Sequence, residues 1–167
     1  MESANQPSCF ACELRPTRLF CDLPANALDA LDHIKDICSF ARGATLFQEG
    51  HPGRGVFLLC RGRAKLSISS DRGQRLLLRI AGPGEILGLS ASLAGLDYEL
   101  TAEALDPVQV AFIRRKDLLN FLRQHRQACM QVIHFLSEDL HSAYERVRSM
   151  GWAHTRIRTS PSTMRVQ

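Results

Sequence analysis

Hydrophobic positions recur in this chain with two different periods, and the change of period divides it. In the middle third the period is two. In "RAKLSISS", Ala64, Leu66 and Ile68 alternate with Lys65, Ser67 and Ser69, and in "QRLLLRIAG", Leu76, Leu78 and Ile80 form one face against Arg75 and Arg79. Such alternation predicts half-buried strands, and the intervening "SDRGQ" suits a hairpin turn. "VFLLC" and "VQVAFI" read as buried strands. Ten of the eleven glycines lie between Gly43 and Gly95, so the segments between turns are short. Several short strands at this spacing predict a sandwich, roll or barrel.

The flanks follow a helical period. "LPANALDALDHIKDICSFA" places Leu28, Leu31, Ile34 and Cys38 on one helical face. "RKDLLNFLRQH" predicts a short helix opened by Asp117. Beyond it, Val132, Leu136, Leu140, Ala143, Val147 and Met150 recur every three or four residues, and Gly151 suits a helix end. One narrow apolar stripe over so many turns has the pattern of a coiled-coil seam, which predicts a homodimer; a helix lying on its own core is the other reading. "WAHTRIRTSPSTMRVQ" has no period and reads as a disordered basic tail.

Composition narrows the class. At 167 residues, 45% hydrophobic and 23% charged, the chain has the make-up of a soluble globular domain. No apolar run is long enough to cross a bilayer, and "MESANQPSCF" is not a signal peptide, so the expected location is the cytoplasm, with no membrane partner. A net charge of +4 permits nucleic-acid binding without requiring it. No Ser-His-Asp order, carboxylate pair or phosphate loop points to catalysis, so a non-enzymatic role is expected. In the cytoplasm the six cysteines would be thiols or metal ligands rather than disulfides.

Three stretches in order, "GATLFQEGHPGRGVFLLCRGRAKLS", "LLLRIAGPGEILGLSASLAG" and "LTAEALDPVQVAFIRRKDLLNFL", resemble the Crp/Fnr family of bacterial transcription regulators over roughly Leu19 to Gly151. The resemblance implies a mainly β fold: an antiparallel β-roll with short flanking helices, then a long dimerisation helix. The expected organisation is a cysteine-containing segment (1–24), a cyclic nucleotide-binding-like roll (25–125), the dimerisation helix (126–151) and the tail (152–167). It also implies a C-terminal helix-turn-helix for DNA. The sixteen residues after Gly151 hold none, so the expectation is a sensory domain that stops at its dimerisation helix and touches DNA only if a reader is supplied elsewhere.

The second stretch resembles the family's phosphate-binding cassette, here Gly84, Glu85, Gly88, Leu89, Ser90, Tyr98 and Glu99. In cyclic-nucleotide-binding members a Glu holds the ribose and an Arg-Ser or Arg-Thr pair holds the cyclic phosphate. Here Leu89 (or Ser90) stands at the Glu position, and Tyr98 and Glu99 stand at the pair. A carboxylate about 4 Å from a phosphate costs roughly 1 kcal/mol in water and about 4 kcal/mol at an effective dielectric near 20. The expectation is a kept scaffold with a dismantled nucleotide site; the alternative is a stand-alone nucleotide-binding module with altered phosphate contacts. The Fnr branch has also lost the pair, and its oxygen sensors hold an iron–sulfur cluster on N-terminal cysteines plus one in the roll. Cys9, Cys12 and Cys21, with Cys60 as the roll candidate, would be the matching ligands. The spacing to Cys21 is longer than that pattern, and Ala111 stands at the roll-ligand position. A cluster, zinc, a redox-sensitive thiol pair and idle thiols all remain open.

Overall fold

A computed structural model describes Phe20 and residues 22–151 of the chain. The N-terminal cysteines Cys9, Cys12 and Cys21 and the tail after Gly151 lie outside the described residues. The chain divides into two units, one up to Ile133 and one from His134.

The first unit opens with α1 (Ala25–Ile34), followed by β1 (Lys35–Phe40), β2 (Thr45–Phe47), β3 (Gly55–Arg61), β4 (Ala64–Ser69), β5 (Arg75–Ala81) and β6 (Ile86–Leu87). A short α2 (Leu89–Ala94), β7 (Thr101–Ala104), β8 (Val108–Arg114) and α3 (Arg115–Gln124) complete it, and α4 (Arg126–Gly151) begins there and continues into the second unit. The strands form two antiparallel four-stranded sheets, ordered β1-β8-β3-β6 and β2-β7-β4-β5. This is the expected antiparallel roll with flanking helices.

The core sits in two layers. Phe47, Phe57, Leu59, Leu66, Tyr98 and Val110 belong to one buried cluster of side chains drawn from both sheets. The alternate residues of β3 and β8, Val56, Leu58, Ala111 and Ile113, are also buried. They point to the opposite face, on the side where α3 packs against both strands and against α1. There Leu28, Leu31 and Leu118 are fully enclosed, and Phe20 meets Phe121 edge-on with ring centres 5.9 Å apart. Burial on both faces is why "VFLLC" is apolar throughout and "VQVAFI" is apolar apart from the half-buried Gln109.

Four expectations need correction. The first helix does not reach Cys38: it ends at Ile34, and Lys35–Phe40 pairs residue for residue with β8. Ile37, Cys38 and Phe40 suit a strand as well as a helix, and the ladder with a fully buried neighbour decides between them. The alternation in β4 breaks at a bulge between Leu66 and Ser67, so Ser67 is buried while Ile68 is half-buried. β5, at the sheet edge, has no apolar face covered by another layer: Leu76 and Leu77 are each 55% exposed and Ile80 48%. Finally, α3 starts at Arg115, with Asp117 inside its first turn rather than at its cap.

The stripe on α4 is also displaced. Val132 is buried within the first unit, at 4% exposure, whereas its neighbour Ile133 is 52% exposed. Ile133, Leu136, Leu140, Ala143 and Val147 follow a strict alternation of three and four residues, the 3.5-residue period of a heptad seam. Leu140 and Val147 are exposed at 54% and 63%.

Leu59 lies fully enclosed at the centre of the roll. Leu59→Ala is expected to lower unfolding free energy by about 2–5 kcal/mol. Urea denaturation checks this, as a lower midpoint with an unchanged slope.

Candidate functional site

The cassette runs from β5 through β6 and α2 to β7, and backbone geometry fixes its path. Gly84 (φ +85°) donates its N–H to the Leu59 carbonyl at 2.6 Å, and the Leu59 N–H returns a bond to the Glu85 carbonyl at 2.9 Å. Glu85 closes the turn: its Oε1 accepts from the Gly82 N–H at 3.0 Å and its Oε2 pairs with Arg79. Sequence alternation places Arg79 on a solvent face, yet here it locks the cassette's entry. Glu85, six residues along the chain, is the signal that marks it.

Gly88 and Gly95 bracket α2 with φ near +75° and +72°, left-handed positions that side chains rarely adopt. Gly88 has a second role. A Cβ there would lie 2.7 Å from Cε1 of Tyr98. In this chain, therefore, the cassette glycine makes room for an aromatic ring.

Tyr98 sits where the resemblance implies the phosphate-binding Arg. It is 5% exposed and points into the roll. Its ring stacks on Phe47, with centroids 4.3 Å apart and planes 29° apart. Its hydroxyl donates to the Gly55 carbonyl at 2.7 Å and accepts the Gly55 N–H at 3.2 Å. The Ser92 hydroxyl, from α2, donates to the same carbonyl at 2.8 Å. Gly55 must be glycine: a Cβ would lie 2.3 Å from the Ile113 carbonyl oxygen and 2.8 Å from the Phe112 ring. On the outer side, Arg115 Nε donates to the Ser92 carbonyl at 2.7 Å. One basic residue of "RRK" thus anchors the cassette to α3. Burial pushes the Tyr98 phenol above its ordinary pKa, against the weaker opposing effect of its hydrogen bonds and of the Arg54 charge.

The other proposed ligand residues are spread out. Leu89 is buried in the core at 3% exposure, Ser90 is exposed, and Glu99 is exposed beside the buried Tyr98. The Glu99 carboxylate is therefore solvated, and its repulsion of an anion falls at the weak, water-screened end of the range. Tyr98, Gly88 and the Gly55 peptide come together; Ser90 and Glu99 do not join them. Sequence reading missed Gly55 and Ser92, which carry no family signature of their own. Cys60 is half-buried on β3, and its thiol faces the Leu58 carbonyl at 3.7 Å. No group of three His, Cys, Asp or Glu suited to a metal occurs among the described residues. Those residues alone do not fit a cluster or zinc at Cys60; the remaining ligands would have to come from outside them.

A two-sheet roll whose cassette joins β6 to β7 defines a class, and the comparison agrees. The cyclic nucleotide-binding domain family matches residues 37–125, and the chain belongs to that family. Its relatives include regulators of the Crp/Fnr type. It is 30% identical over 139 residues to the transcriptional activator protein Anr of Pseudomonas aeruginosa, covering 81% of this chain and 55% of that one. It is 24% identical to the CRP-like cAMP-activated global transcriptional regulator of Mycobacterium tuberculosis, over 73% of this chain and 54% of that one. The fold matches the catabolite activator protein of Thermus thermophilus with a TM-score of 0.73 at 22% identity, over 80% of this chain and 62% of that one. The chain spans about half the length of the curated relatives it matches.

Removing the hydroxyl leaves the Gly55 N–H without its acceptor in the core. Tyr98→Phe is expected to cost about 1–3 kcal/mol of stability, measured by urea denaturation. A phenol whose pKa is raised by folding stabilises the fold fully below the ordinary value of 10.0 and loses that contribution as pH climbs above it. Wild type should therefore lose stability more steeply than Tyr98→Phe, which lacks the titrating group, as pH rises above 10.0.

Proposed function

We propose that the chain is the sensory and dimerisation part of a Crp/Fnr-type transcription regulator, and that it does not take cAMP through the family's phosphate contacts. The observation that carries the second half is Tyr98. Its ring and hydroxyl are committed to Phe47 and Gly55, so the position holds a core residue in place of a cation. A buried aromatic offers nothing to a cyclic phosphate, and Leu89 offers nothing to a ribose hydroxyl. The regulator reading rests on the matching domain and on relatives named as regulators. On this reading the protein acts by binding and conformational change rather than catalysis, in the cytoplasm. No helix among the described residues is long and apolar enough to cross a membrane.

Exposed apolar surface supports the homodimer. Ile133, Leu140, Tyr144 and Val147 leave large apolar side chains in solvent along α4, and Leu76, Leu77 and Ile80 do so on β5. A second copy would cover such a stripe at roughly 1.5–3 kcal/mol per fully buried side chain, against an association cost of several kcal/mol or more. A dimer of micromolar strength is the consistent outcome.

Two measurements check these readings. Calorimetric titration with cAMP should give no saturable heat below about millimolar concentration; micromolar affinity would instead support the stand-alone nucleotide-binding module. Sedimentation at tens of micromolar should show a dimer, and Leu140→Glu, which sets like charges against each other across the seam, should give a monomer.

A further inference from the structure

Beside Tyr98, where exposed loop residues meet the buried rings, the roll opens in a mouth of about 300 Å³. Four aromatic rings line it: Phe47 from β2, Phe57 from β3, Phe112 from β8, and Tyr98. The rings form a continuous set, with Phe57 and Phe112 centred 4.9 Å apart and Phe47 and Phe57 5.3 Å apart. Tyr98 is the single cassette residue that reaches it; neither Leu89 nor any other residue of α2 contributes. The cavity is therefore not the place where a cassette would hold a nucleotide.

The rest of the lining is Leu46 on β2 and residues of the loop between β2 and β3, including Gln48, His51 and Arg54. These last three are exposed. Arg54 is the single guanidinium in the lining, and no carboxylate lines the cavity with it. The acid nearest in the chain, Glu49, is directed elsewhere: it accepts the Ser69 N–H at 2.8 Å. A planar guanidinium pairs best with a planar carboxylate, through two parallel hydrogen bonds. Stacked and edge-on rings favour a flat aromatic body over an aliphatic one. The volume is at the small end of ligand pockets, which fits one or two fused rings.

We propose that this mouth binds a small planar aromatic monocarboxylate, with its ring among Phe47, Phe57, Tyr98 and Phe112 and its carboxylate on Arg54. Because Tyr98 is shared, an acid bound here touches the residue that ties the cassette to β3. That makes it a candidate effector if the chain is a sensory domain; the binding itself does not depend on that reading.

The test uses the isotope-labelled full chain and two unlabelled probes, indole-3-acetate and its neutral analogue indole-3-acetamide, followed by nuclear magnetic resonance. The acid should shift the signals of Leu46, Phe57 and Phe112 saturably. The amide should bind at least about tenfold more weakly, and so should the acid to Arg54→Gln, whose exposed position leaves the core intact. An absence of saturable shifts, shifts centred outside the mouth, or equal affinity for acid and amide would overturn the proposal. A parallel titration with cAMP keeps the two readings apart. Shifts confined to Gly88, Leu89 and α2 in that titration would count against the proposed loss of nucleotide binding and leave the mouth untouched.

Discussion

The peptide group of Gly55 is the point on which the roll and its cassette depend. It stands where β3 begins beneath β8, in a space that admits no side chain. Its N–H and carbonyl are satisfied by a side chain from beyond α2, the Tyr98 hydroxyl, with Ser92 adding a bond to the carbonyl. Buried backbone groups must find partners, and here the partners belong to the segment that in related folds would face a ligand. The same bonds that complete the strand also hold the cassette closed.

That constraint links the glycines to one another. Gly88 keeps the left-handed turn before α2 and leaves space for the Tyr98 ring; Gly55 receives its hydroxyl. Arg79 with Glu85 fixes one end of the cassette, and Arg115 bonded to Ser92 fixes the middle. On the proposed reading, such a scaffold keeps its glycine turns without the polar residues of a nucleotide site. Hydrogen bonds from Tyr98 and Ser92 to Gly55, and from Arg115 to Ser92, join the roll's aromatic interior to α3.

The sequence made much of this visible, and the failures have physical causes. The roll, the hairpin at residues 70–74 and the buried β3 and β8 follow from period and turn residues. Lys35–Phe40 was misread because its apolar spacing fits a helix as well as a strand, and only the ladder with β8 separates them. The exposed face of β5 was missed because alternation reports which residues share a face, not whether another layer covers it. Val132 and Ile133 both fit the apolar spacing of α4, and spacing does not tell that Val132 is buried within the first unit while Ile133 is exposed. At the site, the substitution of Tyr98 for a cation was legible; its bond to Gly55, 43 residues away, was not.

Hydrogen exchange at the Gly55 amide tests the central claim most directly, because that N–H is held by the Tyr98 hydroxyl inside the core. The account predicts that it exchanges only with global unfolding and that saturating cAMP leaves its rate unchanged. Rapid exchange at Gly55 in an otherwise protected β3, or a rate that moves when cAMP is added, would contradict it.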